Sequence, residues 1–97
     1  MTLELYPPLR EAAGAGEASF PLEGELPLRG LLERLSEHFG PAFRQNLMDE
    51  AGEVVPGWAV FLNGSHLPLN QPGALEQKVR PGDHLAFVMN VAGGAGS

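Results

Sequence analysis

The chain has no cysteine, a single lysine (Lys78), one tryptophan and one tyrosine. Without cysteine there is no disulfide framework, no thiol nucleophile and no thiolate metal site. Basic side chains are scarce, six against twelve acidic ones, which leaves a formal charge of −6. That balance argues against a nucleic-acid partner, because holding a phosphate backbone takes clustered lysine and arginine. Long apolar runs are missing too. Nothing approaches the ~20 residues that cross a bilayer, and the opening Met1-Thr2-Leu3-Glu4-Leu5-Tyr6 lacks the basic segment and apolar core of a signal peptide. There is no P-loop. Gly14-Ala15-Gly16 is a lone G-x-G with Ser19 where a third fingerprint glycine belongs, so no nucleotide site is read there. The expectation is a soluble cytoplasmic protein of one domain, without a membrane partner. A chain of this length removes roughly 60–70% of its unfolded surface from water, enough to fold without a disulfide or structural metal.

What is present is patterned. Thr2 to Tyr6 alternates, with Leu3 and Leu5 on one face and Glu4 and Tyr6 on the other, as a half-buried strand does. Pro7-Pro8 stops it. Residues 9–16, rich in small side chains, read as a loop. Residues 17–22 read as a second strand forming a hairpin with the first, and Pro21 favours an edge position there. Leu28, Leu31, Leu32, Leu35 and Phe39 recur at helical spacing as one apolar stripe. Pro27 suits the first helical position, and Gly40-Pro41 supplies a left-handed stop and a breaker. Arg29, Glu33, Arg34 and Glu37 take the opposite face, and His38 reads as a cap or surface residue at the negative end of the helix dipole.

Residues 41–56 are less regular. Phe43 and Leu47 suit a short helical turn, and residues 49–53 a polar turn. Trp58 to Leu62 is a compact apolar strand halted by Asn63-Gly64, whose tolerance of positive φ marks a type I′ hairpin turn. Ser65 to Leu69 returns as a short strand, residues 70–74 turn, and residues 75–79 connect to Arg80-Pro81-Gly82-Asp83, a type II turn. That turn launches the last strand, His84 to Asn90. His66 and His84 are far apart in sequence and lack a carboxylate cluster, so they read as surface or turn residues and no metal ligand is assigned. One amphipathic helix cannot bury its leucine stripe alone. The expected fold is α+β, a mixed sheet packed on one main helix, of the ubiquitin-like β-grasp kind, with the first and last strands side by side.

The last strand runs into Val91-Ala92-Gly93-Gly94 and then Ala95-Gly96-Ser97. Glycines after a strand leave the sheet and lose conformational entropy if held in place. Such an arm carries no Cβ and fits a narrow channel on another protein; a frayed terminus is the plain alternative. The expected division is a β-grasp domain over residues 1–92 and a flexible tail over 93–97.

Phe61-Leu62-Asn63-Gly64, Arg80-Pro81-Gly82-Asp83 and Val91-Ala92-Gly93-Gly94, in that order, make the chain resemble the small ubiquitin-like sulfur carriers, in particular the small subunit of molybdopterin synthase and its relatives. The length of residues 41–56 resembles the molybdopterin-type carriers more than the thiamine-type ones. The resemblance implies that an E1-like, ATP-dependent enzyme adenylates the terminal carboxylate of Gly94 and that a sulfur donor converts it to a thiocarboxylate. It implies that the tail enters the large subunit of molybdopterin synthase and delivers sulfur for molybdenum cofactor synthesis, with Gly93 and Gly94 required to pass the channel. Val91, Ala92 and Phe87 are the residues expected to meet a partner; by alternation Leu85 and Phe87 suit the core instead. The chain itself is expected to bind no cofactor and to be no catalyst alone.

Two departures bear on this. The family usually ends at the second glycine, whereas this chain continues through Ala95-Gly96-Ser97. Either a peptidase removes three residues to expose Gly94, or the tail is no longer used, or the three residues are a linker remnant. The second departure is Asn90, where relatives often carry proline. A protein modifier joined to lysines through the same glycine, and an interaction module with an inert tail, are the other two functional classes. Lys78, as the only lysine, limits chain-building on the protein itself.

Overall fold

The computed structural model describes residues 1–69 and 71–89, so the expectations placed on Val91, Ala92, Gly93 and Gly94, on Asn90 and on Ala95 to Ser97 lie outside the described residues. In chain order the elements are β1 (Thr2–Leu5), α1 (Leu9–Ala13), β2 (Glu17–Ser19), β3 (Leu26–Pro27), α2 (Leu28–Phe39), α3 (Pro41–Leu47), β4 (Trp58–Leu62), β5 (Ser65–Leu67), a 3-10 turn (Ala74–Glu76), β6 (Lys78–Val79) and β7 (His84–Met89). Five strands form one sheet in the order β2-β1-β7-β4-β5, and β3 and β6 form a second, two-stranded sheet. β1 and β7 run parallel, while β2 on β1, β5 on β4 and β4 on β7 are antiparallel. This is the α+β β-grasp architecture, and the first and last strands are neighbours.

Alternation along each strand sorts side chains onto two faces. Leu3 and Leu5 of β1, Val60 of β4 and Leu85 and Phe87 of β7 point to the inner face, where the stripe Leu28, Leu31, Leu32 and Leu35 of α2 covers them. All of these are essentially without solvent contact. Ser36 is buried on the same helix and donates its hydroxyl to the Leu32 carbonyl at 2.9 Å, so no polar atom is stranded there.

The loop expected over residues 9–16 is instead α1. Leu9 is fully buried and fixes the segment to the core, and Ala12 and Ala13 favour a helix and pack against it. Gly14, at φ 81°, caps it by donating to the Arg10 carbonyl at 2.9 Å. The second strand is shorter than the expected 17–22. It ends at Ser19, and one further backbone pair joins Met1 and Phe20 before Pro21, which has no N–H to offer. Its edge position agrees with that proline.

Residues 41–47 form a full helix rather than a single turn, with Phe43 and Leu47 buried. Pro41 opens it, so it begins an element as well as ending α2. Gly40 between them has φ 101° and ψ −178°, a glycine-only region rather than the expected left-handed helical one. Further on, Asp49 accepts the Ala51 and Glu53 backbone N–H groups at 2.9 and 3.0 Å, which organises the polar turn. The connection over 75–79 contains β6, whose Val79 is buried opposite Leu26. Both turns have the expected geometry: Asn63 and Gly64 sit at φ 52° and 85°, and Gly82 at φ 91° with the Asp83 N–H donating to the Arg80 carbonyl at 3.1 Å. Among the described residues no helix is long and apolar enough to cross a membrane.

Candidate functional site

The strand that leads to the tail is the central one. β7 pairs on one side with β1, Leu3 opposite Leu85 and Leu5 opposite Phe87, and on the other with β4, Val60 opposite Phe87 and Trp58 opposite Met89. β7 therefore ends, at Met89, in the middle of the sheet rather than along its edge. This register corrects the partner-contact expectation for Phe87 and agrees with the core reading that alternation gives. Its side chain is fully buried under α2 and offers no surface to a partner.

The residues one position out of phase carry the accessible surface. Ala86 and Val88 of β7 and Ala59 and Phe61 of β4 share the outer face, Phe61 opposite Ala86 and Ala59 opposite Val88. None of the four belongs to the main core cluster. Phe61, Val88 and Ala59 are half-buried, and the His66 ring on β5 lies against Phe61 with centroids 5.3 Å apart. A sheet with one wet face ordinarily alternates apolar-in and polar-out. The outer face here keeps a partly covered apolar centre instead.

Polar groups border that centre. Glu4 of β1 accepts from the Tyr6 hydroxyl at 2.8 Å and lies 3.4 Å from His84 Nε2. Donation to this carboxylate, and then the carboxylate's charge, raise the Tyr6 phenol above its ordinary value. His84 and Asp83 stand at the start of β7 and the tail at its end. About five residues of extended chain, roughly 16 Å, separate them. The strand sets them at the end opposite Met89. At the tail's own end lie Met89, Trp58 and Tyr6. Trp58 is anchored by its indole N–H, which donates to the Asn46 carbonyl at 2.9 Å, and a cleft of about 400 Å³ opens beside it between residues 53–57 and Pro68-Leu69.

Among the described residues no three histidine or acidic side chains are grouped to hold a metal ion. His38, His66 and His84 are spread over α2, β5 and β7. His38 is exposed and meets the Phe20 and Phe39 rings edge-on at 5.4 and 4.8 Å.

The ThiS family profile matches residues 3–94. The chain belongs to the ThiS family. It is thus of the ubiquitin-like sulfur-carrier kind, and the described fold agrees with that membership. Crystalline SAMP1 from Haloferax volcanii superposes with a TM-score of 0.77 at 24% identity, over 100% of this chain and 98% of that one. The small archaeal modifier protein 1 from Methanosarcina acetivorans gives 0.73 at 20% identity, over 99% and 94%. A putative molybdopterin converting factor, subunit 1, from Pyrococcus furiosus gives 0.63 at 18%, over 91% and 93%. At these identities the structures share the fold. No curated protein matches the chain by sequence.

The outer-face residues Ala59, Phe61, Ala86 and Val88 were not among the site residues read from the sequence. Their signal is present in Trp58-Ala59-Val60-Phe61-Leu62 and Leu85-Ala86-Phe87-Val88-Met89, which are apolar at successive positions instead of alternating. In a sheet with one covered face, such runs must leave an apolar surface somewhere.

Proposed function

We propose that this chain is a sulfur carrier for molybdopterin synthesis, with Gly94 as the loading point once residues 95–97 are removed. The observation that carries the reading is that the family match stops at Gly94, three residues before Ser97. A resting carboxylate is a poor electrophile, so an E1-like enzyme first joins Gly94 to AMP at the expense of ATP. A sulfur nucleophile then attacks the acyl carbon, the C–S bond forms as the C–O bond to AMP breaks, and a thiocarboxylate remains. The carrier contributes geometry to this sequence. The apolar centre at Phe61, Ala59, Ala86 and Val88 gives the activating enzyme and the molybdopterin synthase large subunit a surface to grip. β7 ends beside that surface, and Gly93 and Gly94 have no Cβ to obstruct a channel. The formal charge of −6 suits a basic partner and steers encounter more than it sets affinity.

The test is the intact mass of untagged protein from its native cell. A species ending at Gly94, part of it with one oxygen replaced by sulfur, is the expected result. Incubating that species with the large subunit and the cyclic pterin precursor should then yield the dithiolene. A chain found only as the Ser97 form, in cells making molybdenum enzymes, sinks the carrier reading. Thiocarboxylate without transfer to the pterin moves it to another sulfur pathway. A modifier role, joining Gly94 to protein lysines, draws support from the likeness to SAMP1, a protein named as a modifier. It would be read as conjugates in the same cells.

A further inference from the structure

We propose that Asn63 is a latent deamidation site, held shut by its contacts with Asp83 and His84, and that its conversion to aspartate or isoaspartate unlatches the start of β7. The sequence has four asparagines, and only Asn63 is followed by glycine; Leu47, Gln71 and Val91 follow the other three. Deamidation begins when the backbone nitrogen of the next residue attacks the asparagine Cγ, and a side chain on that residue obstructs the approach. Gly64 has none, and the space where its Cβ would stand is open, with no atom within 4 Å. Both residues are exposed, so water and hydroxide reach them.

The fold withholds the amide from that attack. Asn63 Nδ2 donates to Asp83 Oδ1 at 3.1 Å, and Asn63 Oδ1 accepts the His84 backbone N–H at 2.9 Å. Both polar atoms of the amide therefore face the start of β7, and Cγ must leave them before it meets the Gly64 nitrogen. The backbone on either side is fixed as well. The Asn63 N–H donates to the His84 carbonyl at 2.8 Å, Leu62 pairs with Ser65, and the turn holds Asn63 at φ 52°. Asp83 is anchored in turn, its Oδ2 accepting the Arg80 N–H at 2.9 Å and its carbonyl the Thr2 N–H at 3.0 Å. Asn63 thus sits where the end of β4, the start of β7 and the start of β1 are tied together.

The step needs only water. The Gly64 nitrogen loses its proton to hydroxide and adds to Asn63 Cγ. The new C–N bond forms as the bond from Cγ to Nδ2 breaks, and ammonia leaves with a proton taken from water, which regenerates the hydroxide. Water then opens the resulting succinimide at either carbonyl, giving aspartate or, where the chain now runs through Cγ, isoaspartate. The net change is one water in and one ammonia out. Where Nδ2 donated to Asp83, a carboxylate oxygen now stands at hydrogen-bond distance from a second carboxylate, and like charges so placed repel. Isoaspartate also adds a carbon to the backbone of a two-residue turn, whose length sets the Leu62–Ser65 pairing. Neither product returns to the amide, so the change runs one way.

Ageing the full chain at mildly alkaline pH, with peptide mapping for aspartate and isoaspartate at Asn63, tests this. The folded parent should deamidate about thirtyfold more slowly than the same chain in urea, the factor that two hydrogen bonds of ordinary net strength impose on local opening. Asp83→Ala, which removes one of the two, should age about fivefold faster than the parent while folded. Equal rates for the folded and the urea-unfolded parent overturn the shielding. So does an Asp83→Ala protein, folded by its own urea curve, that ages no faster than the parent. The deamidated parent, separated by ion exchange, should unfold at lower urea than the amide form and exchange its Thr2 and His84 amide protons faster. A deamidated protein with the midpoint and the exchange of the amide form overturns the unlatching.

Discussion

The side chains of Asn63 and Asp83, twenty residues apart, join the two turns that flank the end of β4 and the start of β7. Asn63 Nδ2 donates to Asp83 Oδ1 at 3.1 Å, and Asn63 Oδ1 accepts the His84 backbone N–H at 2.9 Å. The other oxygen of Asp83 accepts the Arg80 N–H at 2.9 Å, so one carboxylate braces its own turn and its neighbour. Asn63 also occupies φ 52°, where asparagine is tolerated and most residues are not. Asn63→Ala should therefore lower stability by about 2 kcal/mol, from two lost hydrogen bonds and a strained backbone. Asn63→Gly, which relieves the backbone, should lose less. Urea unfolding of the three proteins checks this; an alanine variant equal to the glycine variant would mean that the backbone contributes nothing.

Neighbouring residues on β7 should behave oppositely. Phe87→Ala empties a buried position and should cost about 3–5 kcal/mol, a large share of a typical domain's ~5–15 kcal/mol. Val88→Glu alters the outer face and should cost about 1 kcal/mol or less, mostly through strand preference. Yet Val88→Glu and Phe61→Glu should slow adenylation of the chain by its activating enzyme, because each puts a charge in the apolar centre. Melting curves and pyrophosphate release separate the two effects. Unchanged adenylation in both outer-face variants would remove that face from the docking surface.

Acid should weaken the fold through Glu33 and Glu25. Arg44 donates to both oxygens of Glu33, at 2.8 and 3.4 Å, and this hydrogen bonding, aided by the guanidinium charge and opposed by burial, holds the carboxyl below its ordinary value. Arg80 acts likewise on Glu25. A carboxyl whose folded value is depressed contributes stability that is complete above its unfolded value, near 4.5, and is lost as pH falls through the folded value. Both pairs are exposed enough that each effect is small. Arg44→Gln should lower the urea midpoint at neutral pH, and its deficit against the parent should shrink in acid. A deficit independent of pH would show that the arginine acts through packing alone.

Substitutions at the tail should separate loading from folding. Gly93→Val and Gly94→Val add bulk where a narrow channel is proposed. Thermal midpoints should match the parent's, and thiocarboxylate formation or sulfur transfer should be abolished. Transfer at the parent's rate in both variants would rule out a steric need for glycine.

Much of this architecture was legible because it depends on local pattern. The α2 stripe from Leu28 to Phe39 needs only helical spacing to be seen, and Asn63-Gly64 and Pro81-Gly82 declare their turns through φ. α1 was not legible. Its five residues are too few to show a helical period and run into Gly14-Ala15-Gly16, so the stretch reads as a loop, and burial of Leu9 in the core, with α1 against α3, decides the matter. Alternation already set Leu85 and Phe87 toward the core, and the partner contact assigned to Phe87 needed the opposite parity. Whether Phe87 or Val88 faces outward depends on register against β1 and β4, and a shift of one residue exchanges the faces.

The position of β7 between β1 and β4 has a bearing on how the protein comes into being. The first strand made must wait for the last before its inner side is paired, so the principal sheet cannot close during synthesis while β7 is still unmade. Pairing between opposite ends of a chain is slow to form because a large loop must close first. An incomplete or damaged copy would lack both the gripping surface and a rooted arm, as each depends on β7 being in place.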